Sequence, residues 1–139
     1  MNGTDPDLLQ NPTMSITYSN DPVQRIVFEA WRGDIDAAAV RSHWTRMLAD
    51  PISLSIRRSL TDIREAIPQL TAEELERVVD EVLIPSLKGR MWISAAVVAT
   101  ADQLRLTHRY RAAQRLNEVS VFSDPDTALK WLLHQEPPT

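Results

Sequence analysis

The sequence contains no cysteine. That absence removes thiolate catalysis, disulfide staples, cysteine zinc sites and cysteine-ligated iron–sulfur clusters together. Glycine is nearly as scarce. The 3 glycines, Gly3, Gly33 and Gly89, stand far apart, so there is no glycine-rich phosphate loop and no dinucleotide fingerprint. No apolar stretch approaches the ~18 residues of a membrane helix. The longest run, Ala95 to Ala99 behind Met91-Trp92-Ile93, has the length of a strand. Excess positive charge is also missing. The net charge of −4 argues against general nucleic-acid binding. The histidines, His43, His108 and His134, fall on three different predicted helices without i, i+4 pairing. No metal site is expected, the three are read as exposed or half-buried helix residues, and no cofactor is implied.

What is present describes a soluble α/β domain. The length of 139 residues fits one domain with a core of useful size. Residues 1–13 are polar, carry Pro6 and Pro12, and are expected to form a flexible tail; the domain is assigned to residues 14–135. The first residues show no basic or apolar leader pattern. With the lack of cysteine, this points to the cytoplasm.

Along the chain, Ser15-Ile16-Thr17-Tyr18 alternates as a strand and Asn20-Asp21-Pro22 marks a turn. A second strand spans Arg25 to Trp31, so the pair should form an antiparallel hairpin. Gly33-Asp34 is expected to break that strand, with Asp34 as the N-cap of a helix. Val40, Trp44, Met47 and Leu48 form the helix's apolar stripe, and Asp50-Pro51 ends it. Ser59 to Ile63 gives the weakest strand signal, and its polar content suggests an exposed face or end. Thr71-Ala72-Glu73-Glu74 is a capping box. Leu75, Val78, Val79, Val82, Leu83 and Leu87 follow as a helical stripe, with Pro85 distorting the last turn and Gly89 terminating it. Met91 to Ala99 has no polar alternation and suits a strand buried on both faces. A second capping box, Thr100 to Gln103, starts a helix running to about Leu116. Glu118 to Phe122 is a short strand. Asp124-Pro125 opens the last helix, whose Ala128, Leu129, Leu132 and Leu133 are assigned to the core. The order β-β-α-β-α-β-α-β-α implies a single mixed sheet, parallel through its crossovers, with the hairpin at one edge and helices packed against it.

This order resembles the STAS-like fold of the SpoIIAA-like group, the sporulation anti-sigma factor antagonists, which is related to CRAL-TRIO lipid-binding domains. The carrying residues are Ser15 to Tyr18, Ile26 to Ala30 with Gly33-Asp34, Leu60 to Arg64, Leu70 to Glu74, Val119 to Phe122, and Ala128-Leu129 with Trp131-Leu132. Over residues 14 to 134 the chain is similar to small bacterial SpoIIAA-like proteins of unassigned function. Asp62 matches the strand-end aspartate of the antagonists. These then carry an Asp-Ser-Ser-Gly type stretch whose serine is phosphorylated. Here that place reads Leu70-Thr71-Ala72-Glu73-Glu74, so the phosphoswitch is not carried over and Thr71 is accounted for as a cap.

Asp62, Arg64 and Thr71 are the leading partner- or ligand-binding candidates, since ligands of open α/β sheets favour the C-terminal strand edge. The opposing account makes Asp62 and Arg64 a turn pair. Weaker candidates are Trp31, at the rim of a pocket, and Arg111 and Arg115, on an outward helix row that could meet phosphate or a partner. Glu73, Glu74, Glu76, Asp80 and Glu81 give the preceding helix the opposite charge. No catalytic residue is assigned. Three classes stay open. A non-enzymatic interaction or regulatory module, binding a protein partner or a second copy, stands first on the resemblance. A domain binding a small molecule or lipid comes second, with an apolar ligand in view. An enzyme comes last. A cavity lined by apolar residues would favour the second class; a filled core with an exposed patch near Thr71 and Leu75 would favour the first.

Overall fold

The structure, a computed structural model, describes residues 14–113 and 117–138. The expected tail at residues 1–13 and the candidate Arg115 lie outside the described residues. The strands are β1 (Ser15–Asp21), β2 (Ile26–Ile35), β3 (Arg58–Pro68), β4 (Ile93–Val97) and β5 (Glu118–Phe122). They form one sheet in the order β1-β2-β3-β4-β5. The β1–β2 pair is antiparallel and every later pair is parallel, as the alternation of elements requires.

Helices cover the two faces unequally. On one face lie α1 (Ala37–Ala49), α3 (Ala72–Val78) with its continuation, and α5 (Ala101–Ala113), over a core that includes Val27, Trp44, Leu75 and Trp92. The short helix α2 (Pro51–Ile56) follows α1 directly; Asp50 ends one helix and caps the next by accepting from the Ile52 N–H at 2.9 Å. The other face carries α6 (Pro125–Leu133), which packs Ala128 and Leu132 on Leu60, Ala95 and Val97. Leu133, assigned to the core by spacing, is 46% exposed, because it falls on the solvent side of this nine-residue helix.

Three expectations are corrected. The strand β2 does not break at Gly33-Asp34. It continues to Ile35 because β3 runs beside it, pairing Gly33 with Ala66 and Ile35 with Pro68. The N-cap is therefore Asp36, whose carboxylate accepts from Ala39 N–H at 2.8 Å. The segment from Ser59 is not a marginal, exposed strand. It belongs to an 11-residue strand in the middle of the sheet, and its polar side chains find partners indoors. His43 is not exposed or half-buried but fully enclosed.

The helix after Thr71 bears out the effect of Pro85. A proline lacks the N–H for the i−4 carbonyl and crowds it, and the helix widens into a π turn over Val79–Leu83, where Ile84 N–H reaches Val79 O. It resumes as α4 (Ile84–Leu87) and ends with Lys88 and Gly89 both in positive φ.

One tie had no counterpart in the sequence reading. Arg58, 4% exposed, sends its guanidinium to main-chain carbonyls of the hairpin turn, Gln24 and Arg25 (2.9 Å to Arg25), and of the C-terminal segment, Leu132 (3.3 Å) and Gln135 (2.8 Å). A planar fork with five donors suits several acceptors at once.

Candidate functional site

The alternation of β2 turns Val27, Glu29 and Trp31 toward the helices of the larger core. Parallel register sets Glu29 beside Thr61, Thr61 beside Ala96, and Ser59 beside Ser94. A band of polar side chains thus crosses three strands beneath an otherwise apolar layer. The Glu29 carboxylate is its centre. Oε2 accepts from the Thr61 hydroxyl at 2.8 Å; Oε1 meets His43 Nε2 at 2.6 Å and accepts from Trp31 Nε1–H at 3.3 Å. The far end is a hydroxyl chain. Ser59 Oγ lies 3.5 Å from Thr61 Oγ1 and 3.3 Å from Ser94 Oγ, and accepts from Trp92 Nε1–H at 2.9 Å. Tyr110 of α5 lines the same cavity as Ser94, whose hydroxyl lowers the pKa of its phenol.

Burial, the largest single influence on Glu29, pushes its pKa up. The hydrogen bond and charge of His43, with the bonds from Thr61 and Trp31, outweigh it and hold the carboxyl below its ordinary value. Burial first, and the Glu29 charge second, push the Tyr110 phenol up, so it stays protonated. The Nδ1 of His43 is buried and has no hydrogen-bond partner among the described residues.

Above this band lies a cavity of about 60 Å³, walled by Trp31, Trp44, Leu75, Leu83, Trp92 and Leu106, with Glu29, Thr61, Ser94 and Tyr110 at its polar end. The chemistry of the group is binding. The Thr61 hydroxyl donates to one oxygen of the Glu29 carboxylate, and His43 engages the other. Among the described residues no cluster of three or more His, Asp or Glu could hold a metal ion.

The sequence candidates fall elsewhere. Asp62 and Arg64 lie within β3, not in a loop after it, since that strand continues to Pro68. Asp62 still pairs with Val97, the last residue of β4. The two side chains form a fork, Arg64 Nη2 to Oδ2 at 2.8 Å and Nε to Oδ1 at 3.0 Å. Burial raises the Asp62 pKa most, but the hydrogen bonds and charge of Arg64 outweigh it and keep it low. Thr71 caps α3 in the expected box: its Oγ1 accepts from Glu74 N–H at 3.1 Å, and its own N–H donates to Glu74 Oε1 at 2.8 Å. The Asp62–Arg64 pair sits on the α6 face, near Asp124, and Thr71 on the face of α3, so the three do not form one cluster. Between Leu70, Ala72 and Pro68 on one side and Asp102, Arg105 and Arg109 of α5 on the other runs an open groove of about 320 Å³. Trp31 is buried in the cavity wall. Arg111 donates to Val119 O at 3.0 Å, which ties α5 to β5.

Sequence reasoning missed Glu29, His43 and Tyr110 as a group. A signal existed: Glu29 is the one charge in the run Ile26 to Trp31 and shares its face with Val27 and Trp31, while His43 borders the α1 stripe at Trp44. A carboxylate on the inner face of an internal strand requires a partner.

Neither a family model nor a curated protein matches the sequence. Solved structures do. An uncharacterised protein of the DUF3478 family from Shewanella loihica PV-4, with a SpoIIAA-like fold, superposes with a TM-score of 0.58 at 17% identity, covering 86% of this chain and 93% of its own. An anti-sigma factor antagonist from Mycobacterium paratuberculosis gives a TM-score of 0.52 at 15% identity, covering 93% and 97%. At these identities the likeness concerns architecture, and the chain has the SpoIIAA-like fold, a mixed sheet with helices packed around it.

Proposed function

We propose that the protein is a non-enzymatic regulatory module that docks another protein across the C-terminal edge of its sheet. The observation that carries this reading is the groove between Pro68–Ala72 and α5. Pro68, Leu70 and Leu106 give it apolar surface, Asp102 pairs with Arg105, Arg109 adds a further cation, and the adjoining Ile67 is 55% exposed. Apolar surface with an excess of one cation suits an acidic segment with an apolar anchor. Thr71 lies between two lining residues of this groove, and Asp62 and Arg64 offer charge on the other face of the same edge. The likeness to an anti-sigma factor antagonist supports a protein partner. Among the described residues no helix is long and apolar enough to cross a membrane.

The test is affinity capture from the native cell with sedimentation of the purified protein, comparing wild type with Asp62→Lys, Arg64→Glu and Arg109→Glu. A stoichiometric partner, or self-association, is expected with wild type and should weaken about tenfold in the variants. Their stability should move by less than ~0.5 kcal/mol. The reading fails if wild type binds neither a protein nor itself. It fails in favour of an enzyme if a substrate screen finds turnover that disappears in Asp62→Ala.

A further inference from the structure

We propose that the cavity above Glu29 is a binding site for a small neutral molecule with an apolar body and one hydroxyl group, and that Tyr110 receives the hydroxyl. This takes up the small-molecule class, which a cavity lined by apolar residues, with Leu75 buried in its wall, favours, and it does not depend on the docking reading.

The first argument is the unequal lining. Trp44, Trp92, Leu75, Leu83 and Leu106 supply broad apolar surface, while Glu29, Thr61, Ser94 and Tyr110 supply the polar atoms. Pockets that orient a ligand pair a broad apolar wall with a few placed polar atoms. The second is proton order along the chain. Glu29 is acceptor-only, and Thr61 donates to it. Ser59 already accepts from Trp92, so its own proton is free to pass along the chain. Ser94 acts on Tyr110 as a donor, the direction in which it lowers the phenol's pKa, so the phenol O–H is left to the cavity that Tyr110 lines. A hydroxyl ligand accepts from that O–H. A hydrocarbon leaves it unmatched. A carboxylate meets the Glu29 charge across a water-poor cavity.

The third argument is the wall itself. The cavity of about 60 Å³ is roughly two water volumes at ~30 Å³ each, so an organic occupant requires the wall to yield. Leu83 belongs both to the lining and to the π turn Val79–Leu83. A π turn is a break in helical register, a feature frequent at functional sites. Leu83 therefore sets this break in helical register against the cavity.

Amide-resolved NMR titration with phenol, cyclohexanol, toluene and benzoate tests the site, using wild type, Tyr110→Phe and Ala96→Leu. Phenol and cyclohexanol should give saturable shifts centred on Glu29, Thr61 and Ser94, and benzoate none. Tyr110→Phe should weaken phenol about fivefold, the value of one hydrogen bond, and leave toluene unchanged. Ala96→Leu, which fills the void, should abolish binding of both alcohols. If Ala96→Leu does not fold, Tyr110→Phe decides alone, since it removes a single oxygen. The proposal is overturned by no saturable shift from any probe, by equal affinity for phenol and toluene in wild type, by unchanged phenol affinity in Tyr110→Phe, or by benzoate binding as tightly as phenol.

Discussion

Glu29 and His43 meet at 2.6 Å with the imidazole fully enclosed and the carboxylate nearly so. The pair joins the second strand to the first helix from inside the core. Removing one member of a buried pair strands the other. Glu29→Ala should therefore destabilise the protein by about 3 kcal/mol or more in urea unfolding, whereas Glu29→Gln, which keeps the shape and one acceptor, should cost clearly less.

The same carboxylate makes a pH prediction. Its folded pKa lies below the ordinary value, near ~4.3 for a free glutamate. The stability it lends is complete above that ordinary value and is lost as the pH falls through the folded one. Below about pH 4.3, the urea midpoint of wild type should thus fall more steeply than that of Glu29→Gln. Parallel curves would show that Glu29 titrates alike in the folded and unfolded chain.

Gln103 is 1% exposed and uses its whole carboxamide. Nε2 donates to Arg64 O and Ala66 O, both at 2.9 Å, and Oε1 accepts from Ala99 N–H at 2.7 Å and Thr100 N–H at 3.1 Å. Gln103→Glu replaces both donors with an acceptor facing two carbonyls. A loss of about 3 kcal/mol is expected by calorimetry or urea titration, about as large as that for Gln103→Leu, although glutamate is the closer shape.

Arg58→Lys keeps the charge but not the fork. It should recover little of the ~3 kcal/mol expected to be lost in Arg58→Ala. Hydrogen exchange should rise first in α6 and the residues after it, whose carbonyls Arg58 holds.

Thr71 is a structural cap. Thr71→Ala should cost ~1 kcal/mol. A phosphate on its hydroxyl would break the bond to Glu74 N–H and set added negative charge beside Glu73 and Glu74. Intact-mass analysis of protein from its native cell should find Thr71 unmodified; stoichiometric phosphate there would refute this.

Much of the architecture was legible because it is local. The hairpin, the box at Thr71, the Asp124–Pro125 start and the strand Glu118–Phe122 each follow from a few adjacent residues. The errors came from distant pairing. Gly33 and Asp34 look like a break until the second half of β3 lies alongside. Ser59 and Thr61 look like solvent-facing residues until Glu29, Ser94 and Trp92 are brought to them by register. Asp62 and Arg64 do pair, as the opposing account has it, but inside a strand rather than at a turn, and Thr71 groups with them only if β3 ends near residue 63. The cavity is a sum of side chains from four strands and three helices, and no local pattern announces it.

Arg58 binds its neighbours only through peptide carbonyls. Any residue at positions 24, 25, 132 or 135 supplies the same oxygen, so substitutions there need no matching change at 58. The strap across the two ends of the fold therefore leaves no trace of paired substitution, and a search that infers proximity from correlated changes would pass over it. Chains of this architecture can drift apart in sequence at positions 24 and 135, which lie outside the core, while the path of the backbone stays fixed.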